Sequence, residues 1–315
     1  MKIGLSGHFR LEVREARTGK LKQAREFDNL ITNSGLDCYG LQYNPIDFCY
    51  IGSGTNAPTP EDAQMGQFVG STNQKLSAVR QAPESPNWVA ALTVAYRFNA
   101  NTIVGNFSEI GIGYGSNPAN GKLWSRALIV DEGGSPSTLT IVENEYLDVY
   151  YTLYFHPPLG DASFDFQIGS TTYHVTERLA YAANTRIGGN DGGLYINAPY
   201  VRETKTNCTA LGEITGEQNG VNSDKSDGGY PYRPNGVLQP YSMGAYKRAA
   251  IFHYGLGNCN YENGISGLVW DSGQSFSSDA SMFFEVQMVI SPPIMKTENN
   301  ELELTVEYGW GRHEG

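Results

Sequence analysis

Five histidines, His8, His156, His174, His253 and His313, lie far apart in the chain. Neither HExxH nor GxSxG occurs, so the local signatures of a zinc protease and of a serine hydrolase are missing. His174 and Glu177 stand three residues apart and could face each other as a proton-transfer pair; a packed or solvated histidine is the plainer expectation. Asp161 with Asp165, and Asp224 with Asp227, supply paired carboxylates. A glycosidase needs such a pair across a cleft, and linear order does not set either pair there. The chain is therefore expected not to be an enzyme.

Glycine-rich stretches invite two ligand readings. Gly52-Ser53-Gly54-Thr55 leaves a short strand, Cys49-Tyr50-Ile51, as a phosphate loop would, but GxxxxGK[ST] is lacking and no helix follows directly. Gly111-Ile112-Gly113-Tyr114-Gly115 is GxGxG rather than GxGxxG, and glycine within a strand marks a bulge or a close backbone approach. GGNDGG and DKSDGG have the composition of a cation loop, but they match neither the EF-hand nor the nonapeptide repeat, and turn chemistry explains both. No cofactor and no metal ligand set is expected.

One aromatic region could make contacts instead of chemistry. Between Tyr195 and Trp270 lie Tyr230, Tyr232 and Arg233, flanked by glycine and proline. Tyrosine offers rigid area with a polar tip, and arginine adds planar hydrogen bonding. Tyr230, Tyr232, Arg233 and Trp270 are thus candidate contacts to a partner subunit or a glycan. The competing reading is a loop folded back over the core.

The elements that would position these groups are strands. From Tyr146 the residues alternate, with Leu147, Val149, Tyr151, Leu153 and Phe155 on one face. Leu302, Leu304, Val306, Tyr308 and Trp310 repeat that design near the C-terminus. Phe9, Leu11 and Val13 alternate with Arg10, Glu12 and Arg14, and Thr18-Gly19 turns the chain into a hairpin partner, Leu21 to Phe27. Trp88 to Phe98, Phe107 to Tyr114, Leu123 to Val130, Phe164 to Ile168, Tyr173 to Arg178 and Met282 to Ile290 read as further strands. Leu30, Ile31 and Leu36 suit a short helix or a closing loop. The expected fold is all-β: two β-sandwich-like modules, residues 1–158 and 159–315, with an irregular, loop-rich insertion at about 182–266 in the second.

Composition agrees. The 315 residues include 37 glycines and 20 tyrosines, only 17% are charged, and the net charge is −11. An acidic chain without a Lys/Arg cluster is a poor nucleic-acid binder and a poor ligand for anionic lipid. No run approaches the ~20 apolar residues of a membrane helix. No secretory leader is recognisable at the N-terminus, so synthesis in the cytoplasm is expected. Cys38, Cys49, Cys208 and Cys259 lack CxxC spacing. Buried thiols are expected, with Cys38–Cys49 and Cys208–Cys259 as the alternative disulfides.

Several pieces recur in a recognisable order. They are Phe27-Asp28-Asn29-Leu30-Ile31-Thr32-Asn33-Ser34-Gly35-Leu36-Asp37, then Tyr50-Ile51-Gly52-Ser53-Gly54-Thr55-Asn56-Ala57-Pro58, then Glu109-Ile110-Gly111, then Trp124-Ser125-Arg126-Ala127. This order, over about residues 20 to 155, resembles tail-associated virion proteins of bacteriophages; SPPIMKT before the last strand is also similar. The resemblance implies a β-rich structural protein of the tail (baseplate, fibre or neck), present in several copies and bound to itself and to other tail proteins. Its place would be the virion tail, after synthesis in the host cytoplasm, with host-cell lysis releasing it without secretion. The alternatives are a receptor-binding or carbohydrate-recognising tail-tip protein, with a host-surface glycan or receptor as partner, and a head-decoration or collar protein.

Overall fold

A computed structural model describes residues 2–41, 45–81, 88–117, 122–182, 195–196, 201–203, 236–262, 264–271, 274–275 and 284–314. The fold is all-β, and α1 (Asn33–Gly40) is the one helix among the described residues. Thr32 caps α1: its hydroxyl accepts from the Gly35 N–H and donates to the Leu123 carbonyl, so the cap also ties the helix to the sheet beneath it.

Strand β1 (Lys2–Glu15) is the hub of an eight-stranded sheet. It pairs antiparallel with β2 (Leu21–Asp28) and with β12 (Glu145–His156), and parallel with β22 (Leu302–Arg312). Beyond β12 come β7 (Ala90–Phe98) and then β6 (Lys75–Gln81); beyond β22 come β18 (Lys247–Tyr254) and β17 (Val237–Leu238). The alternation read from the sequence sets the faces. Leu147, Val149, Tyr151, Leu153 and Phe155 are all fully buried, as are Phe9, Leu11 and Val13 beside them.

A second sheet covers that face. Its order is β3 (Leu30–Ile31), β10 (Leu123–Leu128), β9 (Glu109–Gly113), β4 (Phe48–Gly52) and β5 (Phe68–Thr72). Ile51, Ile110, Ile112 and Trp124 join the residues of the first sheet in one core. Trp124 Nε1 donates to the Tyr151 hydroxyl at 2.7 Å, a buried bond that ties β10 to β12. A short pair, β8 (Gly105–Phe107) with β11 (Leu139–Ile141), closes one end.

The third sheet runs β13 (Ala162–Ile168), β14 (Thr171–Ala182), β21 (Phe284–Ile294), β19 (Ile265–Asp271) and β16 (Val201–Glu203). A further short pair is β15 (Tyr195–Ile196) with β20 (Gln274–Ser275).

Two expectations change in detail. The stretch expected to be irregular holds β18, a regular strand. Its Ala250, Phe252 and Tyr254 are buried, but Ala249 and Ile251 on the other face blur the period of two. The last strand does not stay with the sheet of its own half, because β22 lies between β18 and β1 and completes the first sheet. Asp37 at the helix reinforces the link by accepting from the Tyr241 hydroxyl at 2.6 Å and the Gly244 N–H at 2.7 Å. Cys38, Cys49 and Cys259 are buried, unbridged thiols, and burial pushes Cys38 up to about 11 with help from Asp37; Cys208 lies outside the described residues.

Candidate functional site

The separated motifs of residues 27–127 meet at one point, around the carboxylate of Glu109. Strand β9 carries Glu109 with no exposed area. Its Oε1 accepts the backbone N–H of Gly54 at 3.0 Å and of Gln67 at 2.6 Å, and its Oε2 accepts the N–H of Gly66 at 3.0 Å. Arg126, from the neighbouring strand β10, donates Nε to the same Oε2 at 2.6 Å. The rest of its guanidinium reaches Asp62 Oδ2 at 2.7 Å and the Asn56 carbonyl at 3.0 Å. Asp62 is held in turn by the N–H and hydroxyl of Thr59, and Ser34 of α1 donates to the Asp62 carbonyl.

This geometry explains the glycines. A β-carbon on Gly54 would stand 2.5 Å from Glu109 Oε1 and 2.8 Å from the Gln67 nitrogen, so only glycine lets the loop close. The loop does cradle an anion through its backbone N–H groups, as a phosphate loop would. The anion is the protein's own glutamate.

With four donors on its two oxygens and no exposed surface, Glu109 is committed to structure: a general base needs a free lone pair within reach of substrate. The ion pair binds the loop 52–67 to strands β9 and β10. Burial pushes the Asp62 carboxyl up, but the hydrogen bonds from Thr59 and Arg126 outweigh it and leave Asp62 below its usual range.

A second feature is lined by none of these residues. The apolar face of the third sheet and strand β22 border a cavity of about 680 Å³. Phe164, Val175, Leu268, Met288 and Ile290 form one wall, and the stretch Glu303 to Glu307 forms the other. Phe164 and Ile168 on β13 remain 45% and 37% exposed, far more than the interior of the other sheets.

Of the four contact residues expected from sequence, Tyr230, Tyr232 and Arg233 lie outside the described residues. Trp270 sits in β19, where its backbone is flanked by Val201 and Val286. The other polar pairings differ from the sequence expectation. His174 and Glu177 fall on opposite faces of β14: His174 Nδ1 meets Asp165 across the hairpin at 2.8 Å, and Glu177 is buried. A three-residue offset in a strand always separates side chains in this way. Asp161 pairs with Arg178 rather than sharing a site with Asp165, and Asp224 and Asp227 lie outside the described residues. Among the described residues no group of three or more His, Cys, Asp or Glu side chains could hold a metal ion, and no helix is long and apolar enough to cross a membrane.

The stacked pair His156 and His313, with ring centroids 3.6 Å apart, was not legible in the sequence. His156 also meets the Ser6 hydroxyl at 2.9 Å, and burial, then the neighbouring His313, pushes it down to about 4. The two residues stand 157 positions apart in the chain, as 313 minus 156, so only the pairing of β1 with both β12 and β22 brings them together.

Compared with known proteins, the chain matches no family model, no curated protein and no solved structure.

Proposed function

We propose that this is a structural virion protein of a bacteriophage tail, in the baseplate, fibre or neck, which acts by assembling with copies of itself and with other tail proteins. The observation that carries this reading is the state of the outer strands. Strand β6 ends the first sheet with Leu76 42% and Val79 60% exposed, β5 ends the second with Val69 50% exposed, and β13 ends the third with Phe164 45% exposed. Monomeric proteins blunt such edges with charge, proline or a covering loop, because an open apolar edge recruits another chain. Three sheets that each end on exposed apolar side chains suit a subunit whose neighbours finish it. The clustering of the Phe27–Asp37, Gly52–Pro58, Glu109–Gly111 and Trp124–Ala127 motifs on one clasp adds support, since it gives those motifs an architectural role.

The test is location. Antibody labelling of intact particles should decorate the tail at a repeated copy number, and the purified chain should associate as its concentration rises. Absence from particles, together with a stable monomer at high concentration, would overturn the proposal.

A further inference from the structure

Strand β22 is paired along only part of one side. Its residues Leu302 to Gly309 meet β18, from Tyr254 back to Lys247. On its other flank, pairing with β1 begins at Lys2 with Gly309 and runs to Leu5 with Arg312. Among the described residues no strand lies beside Leu302 to Tyr308 on that flank. The hydrogen-bond phase is set by Trp310, whose N–H donates to the Tyr246 carbonyl across the β18 side. Even-numbered residues of β22 therefore point their backbone groups at β18, and the N–H and C=O groups of Glu303, Thr305 and Glu307 point the other way.

They point into the 680 Å³ cavity, which these residues line. The slot thus continues the line of β1 past its start. One side of it is a backbone edge about 17 Å long, at ~3.3 Å for each of five residues, that no strand among the described residues pairs with. Above it lies the apolar face of Phe164, Val175, Met288 and Ile290.

We infer that this slot receives an extended segment of a partner chain, added as a strand beside β22, with apolar side chains alternating with lysine or arginine. A strand in that position turns every second side chain toward the apolar wall. The intervening side chains emerge beside Glu303, Thr305 and Glu307, which are exposed on the outer face of β22; Glu307 also meets Lys247 of β18 at 3.2 Å, so Glu303 is the anion left for the partner. Opposite charges directly across a strand pair stabilise it, so the outward positions call for cations. Among the described residues, Lys2 is the one cationic side chain lining the slot, at the end where β1 begins. The assignment does not depend on the virion reading, since it follows from the register alone.

The probe is a synthetic acetyl-(Lys-Val)₃-amide peptide, compared with acetyl-(Glu-Val)₃-amide, on the full chain. The cationic peptide should bind at least tenfold more tightly and should slow hydrogen exchange at the Thr305 and Glu307 amides. Thr305→Pro removes only an N–H that faces the slot and leaves the β18 ladder intact, as proline permits on an edge. It should weaken binding at least tenfold with an unchanged melting temperature. A second variant, Glu303→Lys with Glu307→Lys on the exposed face, should reverse the preference between the peptides. Equal binding of both peptides, or exchange at 303–307 unaffected by the cationic one, would overturn the inference. So would self-association that Thr305→Pro abolishes, because the slot would then belong to a second copy.

Discussion

The Glu109 clasp and the β22 slot use the same material and end in opposite states. In the clasp, backbone N–H groups of an irregular loop converge on a buried carboxylate, and one arginine neutralises the charge. In the slot, backbone groups of a regular strand face a cavity. The chain completes itself at the clasp and leaves room at the slot. A buried donor without a partner is costly, so the loop 52–67 must supply partners within the chain. An edge that opens on a groove is solvated meanwhile and can wait for another strand.

Removing the centre of the clasp should have the largest effect. Glu109→Ala takes the nearer carboxylate from buried Arg126, leaving it Asp62 and the Asn56 carbonyl, and leaves three N–H groups without an acceptor, which should cost about 3–5 kcal/mol, as for other buried pairs broken on one side. Urea denaturation measures it, and a loss under about 1 kcal/mol would mean that the clasp does not hold the loop.

A smaller loss is expected at the pin between β10 and β12. Trp124→Phe removes the bond to the Tyr151 hydroxyl and shrinks a fully buried side chain, at about 1–3 kcal/mol by the same assay.

Acid should separate the clasp from the His156 stack. Folded His156 titrates near 4 and an unfolded histidine near 6.5, so the unfolded chain takes up the proton first. Stability from this group is complete above pH ~6.5 and falls as the pH drops toward 4. Asp62 is held below its usual range, so its contribution is complete above pH ~4 and is lost at lower pH, through its folded value. His156→Asn should flatten the upper part of the pH–stability curve, and Asp62→Asn only the lower part.

The smallest effect on stability belongs to the open edges. Val79→Lys on β6 should change unfolding free energy by no more than about 0.5 kcal/mol, yet reduce association measured by sedimentation. A large destabilisation would mean that β6 is already packed within its own chain.

Much of this architecture was legible from residue alternation. The buried faces of β1, β7, β12 and β22 follow from side chains pointing to opposite sides at every step, a local rule that survives any tertiary arrangement. The same reading missed β18, where apolar residues on both faces erase the alternation. It identified Gly52–Gly54, Glu109 and Arg126 as pieces of a motif but not as one site, because their meeting depends on strands distant in sequence.

Period and composition are properties of neighbours along the chain, so wherever the alternation is clean they mark the strand and the face it buries. Only the tertiary structure decided the order of those strands. Pairing partners are chosen by long-range register, and one parallel pairing, Lys2 beside Gly309, both places the last strand in the first sheet and leaves the rest of its edge without a strand among the described residues.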